Sequence, residues 1–111
     1  MGFTYEIPVR TESTMNLREH WRVKSERAKK HRRIASVVSS VVPWSDGPLE
    51  ILLTRISPRE MDSDNLAASM KSVRDGIADA IGRDDGSKSL KWVYSQERGR
   101  PKEYSVRVSV T

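Results

Sequence analysis

Residues 49–82 read LEILLTRISPREMDSDNLAASMKSVRDGIADAIG, and the apolar period changes partway along them. LEILLTRI (49–56) is a short apolar run bounded by a turn-prone segment, which predicts a strand. SPREMDSDN is polar and predicts a loop. From about Asn65 to Ile81, Leu66, Met70, Val73, Ile77 and Ile81 recur at three- and four-residue intervals, which predicts one amphipathic helix. Asp64 suits its N-cap, and Gly82 can supply the left-handed position that closes it.

Outward from this segment the same reading continues. Residues 3–9 (FTYEIPV) have strand composition with Phe3, Tyr5 and Ile7 on one face, and Pro8 asks for an edge or a strand end. A polar connection covers 10–16. A helix is predicted from about Leu17 to Val42, its buried stripe being Ile34, Val37, Val38 and Val41. Pro43 ends it, because proline has no backbone N–H to donate, and PWSDGP forms a turn. RDDGSK is a loop. Residues 90–96 and 104–110 alternate as strands, with ERGRPKE as a hairpin connection. The order strand-helix-strand-helix-strand-strand predicts one α+β domain over residues 1–111, with two helices packed on a mixed β-sheet.

Composition narrows the chemistry. The 111 residues include no cysteine, which excludes disulfides, thiolate metal sites and cysteine nucleophiles together. Two histidines, His20 and His31, are too few for most zinc centres, so a metal here needs oxygen ligands and is magnesium, manganese or calcium. No run of 18 apolar residues exists to span a membrane, and the first residues carry neither a secretory h-region nor a myristoylation signal. A cytoplasmic location is expected. The net charge of +5 and pI of about 9.8 suit an anionic partner.

The acidic residues are the most informative. If Met61–Asn65 is extended, Asp62 and Asp64 point to one side, and two adjacent carboxylates call for a cation between them. Magnesium takes one or two protein carboxylates plus water and phosphate oxygens. A second pair, Asp84-Asp85, lies beyond a helix about 25 Å long. Asp85 can join the first pair only if the chain folds back after Gly82. At 100° per residue, Asp64, Lys71 and Asp75 share a stripe, and Lys71 and Asp75 are spaced to pair. Taken singly, each motif is more often a cap, a turn or a solvated face. Their joint occurrence in a basic chain favours a metal site.

The positive charge is concentrated. Between Arg18 and Arg33 stand eight Lys or Arg against two Glu, a local excess of six, larger than the net charge of the whole chain. Such a segment neutralises phosphates with little sequence preference. Arg18, Arg22, Lys24, Arg27 and Lys30 are the expected DNA contacts; His20 reads equally as a DNA contact or as a packed or capping histidine, and Asn16 joins the set only through a family resemblance. Arg55 and Arg59 flank the acidic loop and are expected to hold a phosphate near it. Trp44 and Trp92 read as core or interface residues.

These residues resemble the RusA family of Holliday junction resolvases, the crossover-junction endodeoxyribonucleases. The likeness rests on Asp62-x-Asp64-Asn65-Leu66, Lys71-x-x-x-Asp75 and Asp84-Asp85, with Asn16, His20-Trp21 and the strand Tyr104–Val110 in support, and covers nearly the whole chain. It implies a magnesium-dependent homodimer, manganese substituting, that resolves four-way DNA by paired nicks and is bacterial or phage-encoded. By motif position Asp62, Asp64 and Asp85 are the implied metal ligands and catalytic aspartates, with Lys71 the catalytic lysine. The chain departs from the family where Ala68 stands four residues after Asp64, the usual lysine position; Lys71 comes seven after. Two rival readings are a non-catalytic basic DNA-binding module, which leaves the acidic residues idle, and a protein-assembly subunit whose charge serves solubility.

Overall fold

The computed structural model describes residues 2–11 and 21–111. Among these, the chain forms β1 (Phe3–Ile7), α1 (Trp21–Ser39), β2 (Leu49–Ser57), α2 (Ser63–Ser69), α3 (Lys71–Ile81), β3 (Leu90–Arg98) and β4 (Ser105–Val110). The four strands make one mixed sheet in the order β1-β4-β2-β3. β4 pairs antiparallel with both β1 and β2, while β2 and β3 run parallel. The domain is α+β, as its element order predicts.

Strand alternation decides which face is covered. Ile51 and Leu53 of β2 stand opposite Val110 and Val108 of β4, which in turn face Phe3 and Tyr5 of β1. These side chains, with Ile7 and Val106, point toward the helices and join Leu66, Met70, Val73, Ile77 and Ala35 in one core. The opposite face carries Thr4, Glu6, Ser95, Glu97, Arg107 and Ser109, with an Arg107–Glu97 ion pair at 2.8 Å. Tyr5 bonds Ser39 of α1 at 2.7 Å; burial pushes its hydroxyl up to about 12, against the lowering effect of that bond. Trp44 caps this end as expected, edge-on to Phe3 at 5.4 Å, its Nε1 donating to the Ser39 carbonyl.

Four expectations are corrected. The residues 90–96 and 104–110 do not form a hairpin: β3 pairs with β2, and residues 99–104 carry the chain across β2 to place β4 between β2 and β1. The helix predicted over 65–81 is two helices. Met70, at φ −106° and ψ 9°, separates them; its N–H reaches the Ala67 carbonyl three residues back, and the Ser69 hydroxyl takes the Leu66 carbonyl at 2.7 Å. A local side-chain bond of that kind competes with the helical ladder and bends it. The N-cap of α2 is Asp62, not Asp64. In α1 the buried residues are Ala35 and Ser39, flanked by Ile34 and Val38, whereas Val37 and Val41 are 63% and 85% exposed. The helix ends at Ser39, so Val41 lies in the following turn and leaves the apolar stripe.

The helix crossing turns on one glycine. A Cβ at Gly76 of α3 would strike the Arg32 carbonyl of α1 and come within 2.7 Å of the Ala35 Cβ. The two backbones touch, and Arg32 then reaches Asp79 with two hydrogen bonds of 2.7 and 2.9 Å. Glycine costs helix propensity at such a site and is kept for the close approach. Gly76→Ala is expected to force the helices apart and destabilise the fold by about 1–3 kcal/mol, the usual penalty of overpacking, read as a lower urea midpoint with unchanged slope.

Candidate functional site

β3 is an edge strand, and its helix-facing side chains are Trp92, Tyr94 and Gln96, two residues apart. Each grips a different piece of chain. Trp92 Nε1 donates to the Asp85 carbonyl at 2.9 Å. The Tyr94 hydroxyl accepts from Arg74 of α3 at 2.9 Å. Gln96 takes both backbone groups of Met61: its Oε1 accepts from the Met61 N–H at 3.0 Å and its Nε2 donates to the Met61 carbonyl at 2.7 Å.

The Asp85 end is assembled by a reversal at Gly82. Gly82 is left-handed (φ 81°) and donates to the Ala78 carbonyl, closing α3 as predicted. The chain folds back, and the Asp85 carboxylate comes within 3.3 Å of Lys71 Nζ, at the far end of the same helix. Lys71 also pairs with Asp75 at 2.7 Å, the predicted i, i+4 contact. Arg74 secures the turn from the other side. It stacks over Trp92 at 5.1 Å and donates to the Asp85 carbonyl at 3.0 Å. Its Nε stands 3.3 Å from the Asp85 carboxylate as a charge contact, without hydrogen-bond alignment. Partial burial pushes the Asp85 carboxyl up, but the hydrogen bond and charge of Lys71 and the charge of Arg74 outweigh it and hold it below its ordinary range. The hydrogen bond to Asp75 raises Lys71, so the ammonium stays charged.

The Asp62 end is built differently. Asp62 is extended (φ −62°, ψ 149°), and its carbonyl accepts from the Asn65 and Leu66 N–H groups that open α2. It occupies the N-cap, where an aspartate side chain ordinarily bonds a free N–H, yet its carboxylate makes no such bond. Both Asp62 and Asp64 are exposed, and Asp64 lies in the first turn of α2 rather than in an extended segment. The Asn65 amide oxygen is buried without a hydrogen-bond partner among the described residues.

The expected convergence of Asp62, Asp64 and Asp85 on one ion is not found in the described residues of a single chain, where no group of three or more His, Asp or Glu stands close enough to hold a metal. The ladder on β3 gives the reason. The clamps on Met61 and on Asp85 root at Gln96 and Trp92, four residues or roughly 13 Å apart along the strand. Nor does one helical stripe carry Asp64 with Lys71 and Asp75, because the phase breaks at Met70. The donor set suits a divalent ion in part: Asp62 and Asp64 offer two exposed carboxylates, within the one or two that magnesium takes from a protein, while the Asp85 carboxylate faces Lys71 and Arg74.

The basic residues divide. Lys24 and Arg27, with His31, line a crevice of about 40 Å³ against Ala68, Ser69 and Ser72, beside the junction of α2 and α3. Arg27, Lys30 and His31 also line a larger groove of about 540 Å³ closed by Pro8, Val9 and Arg10. Arg22 lies over the Trp21 ring at 5.6 Å. Arg59 is exposed. Arg55 is a correction: it points to the helix-covered face, is 7% exposed, and donates to the Thr11 hydroxyl and the Arg59 carbonyl, so it holds the fold together rather than facing DNA. Asn16, Arg18 and His20 lie outside the described residues.

The sequence reading missed Arg74, Tyr94 and Gln96. The available signal was the two-residue period 92, 94, 96 on a strand predicted beside the acidic loop, but nothing in that period says what the polar tips would bind. No protein-family model matches the chain. It is similar to an uncharacterized protein of Xylella fastidiosa (strain Temecula1), with 37% identity over 78 residues, which is 63% of this chain. The chain spans 51% of that relative's length.

The pairs predict a pH response. The hydrogen bond to Arg32 lowers Asp79, and Lys71 with Arg74 lowers Asp85, so both carboxylates lose their protons more easily folded than unfolded. Stability from such groups is complete above about pH 4 and is lost as pH falls through the folded value. Urea midpoints are expected to hold level from about pH 7 to about pH 5 and then decline, and Asp79→Asn is expected to make the decline shallower. Identical curves for both proteins would show that this pair carries no stability.

Proposed function

We propose that this chain is a magnesium-dependent endodeoxyribonuclease acting on branched DNA, with four-way junctions as its substrate. The observation that carries the reading is Asp62. It sits where an aspartate normally caps a helix, its backbone is fixed on both sides, and among the described residues its exposed carboxylate makes no capping bond, with Asp64 exposed two residues on. A capping aspartate gains roughly 1 kcal/mol from its side-chain bond, and forgoing that bond suits a ligand role.

Asp62 and Asp64 would hold the ion; Asp85, paired with Lys71 and Arg74, is not brought to them among the described residues of one chain and would lie beside the centre rather than in it. A bound magnesium ion, or manganese in its place, lowers the pKa of a water and screens the charge of the scissile phosphate. Lys71, kept protonated by Asp75, offers a cation to the phosphate or to the developing charge. Arg74 and Lys71 keep Asp85 ionised, so that its charge holds the two cations in place. Lys24, Arg27 and Lys30 bind phosphates along the duplex arms with little sequence preference. Paired nicks on a two-fold junction require two centres, so the active form is a homodimer with an isologous interface. Its proposed place of action, where its DNA substrate lies, is the cytoplasm.

One observation favours a second reading. The Asp85 carboxylate is engaged by two cations, which is what a non-catalytic DNA-binding module would retain. A synthetic four-way junction separates the two. With magnesium, the wild type is expected to bind and cut. Asp64→Asn is expected to keep binding within about twofold and to lose cleavage by about 100-fold or more, the order seen when one preorganised electrostatic group leaves an active site. Binding without cleavage by the wild type selects the binding module. Cleavage undiminished in Asp64→Asn rejects the site.

A further inference from the structure

The loop from Pro58 to Asp62 has no regular structure of its own, yet three side chains hold its backbone. Arg98 donates to the Pro58 carbonyl at 3.2 Å and Arg55 to the Arg59 carbonyl at 2.7 Å. Gln96 makes the third contact, and it is of another kind. Its amide pairs with both backbone groups of one residue, at 3.0 and 2.7 Å, as a neighbouring strand would. The Met61 carbonyl belongs to the peptide that leads into Asp62, so fixing it fixes that peptide plane. On the other side the Asp62 carbonyl is held by the Asn65 and Leu66 N–H groups. Only the two side-chain torsions of Asp62 remain free.

We infer that Gln96 is a positioning residue for Asp62: its amide clamps Met61 so that the backbone carrying the Asp62 carboxylate is held in one orientation. This rests on the reading of Asp62 as a metal ligand. Arginine in this position would hold only the carbonyl and a carboxylate only the N–H; a primary amide is the side chain that does both. Gln96 reaches from a sheet strand, whose place is set by nine paired residues along β2, and therefore transmits the rigidity of the sheet to a loop.

The test uses manganese binding, followed by calorimetry on the intact chain well below its unfolding temperature. Gln96→Leu keeps the shape and removes both bonds; Gln96→Glu keeps an acceptor and loses the donor. Manganese affinity is expected to fall roughly 10-fold or more in Gln96→Leu, the usual cost of losing an outer-shell partner, and less in Gln96→Glu. Amide exchange at Met61 should quicken in Gln96→Leu. Tyr5→Phe, which loses the Ser39 bond far from the loop, should leave manganese affinity unchanged and so separates positioning from a general loss of stability. If the wild type binds manganese and Gln96→Leu binds it equally, with Met61 deprotected, the positioning role is wrong and the metal reading survives. If the wild type binds none, both fall together.

Discussion

The parallel pairing of β2 with β3 is the constraint on which the rest of the molecule depends. Its register sets Arg55 beside Gln96 and Leu53 beside Tyr94, all on the face that the helices cover. A parallel connection needs a long crossover, and residues 58–89 supply it as a loop, two helices and a reversing turn. Both candidate acidic segments lie within that crossover, one before α2 and one after α3. The strand that ends the crossover therefore also meets both segments and holds each by a side chain.

That arrangement separates two jobs that a cluster of aspartates would combine. Asp85 faces Lys71 and Arg74 and is kept ionised; Asp62 is held by its backbone, and among the described residues its carboxylate makes no capping bond. Lys71 and Arg74, one helical turn apart on α3, act on the first, and Gln96 on the second. Ion pairs as exposed as that of Lys71 contribute only a small share of folding stability. The basic half of α1 lies alongside, held by Gly76 and the Arg32–Asp79 fork, which fixes the spacing between the α1 cations and α3.

Much of this was legible in the sequence. The α+β order followed from the change of apolar period between 49–56 and 65–81, because burial of one face leaves a repeat that survives any tertiary context. Gly82 as the helix stop and the Lys71–Asp75 pair followed from local rules that operate within one turn. Composition alone excluded disulfides and thiolate ligands, since the chain has no cysteine.

Only the tertiary structure decided the rest. A strand pattern names which face is buried but not which strand lies beside it, so β4 entered between β1 and β2 where adjacency in sequence predicts a hairpin. At the break before Met70 a serine hydroxyl takes a helix carbonyl, a contact that the apolar repeat does not record. Arg55 was legible as a charge but not as a buried one, because its partners Thr11 and Arg59 come from outside its own strand. The sequence determines periods and local turns, which depend on neighbours along the chain. The burial of a charge and the spacing of carboxylates depend on neighbours in space, and these exist only once the sheet has closed.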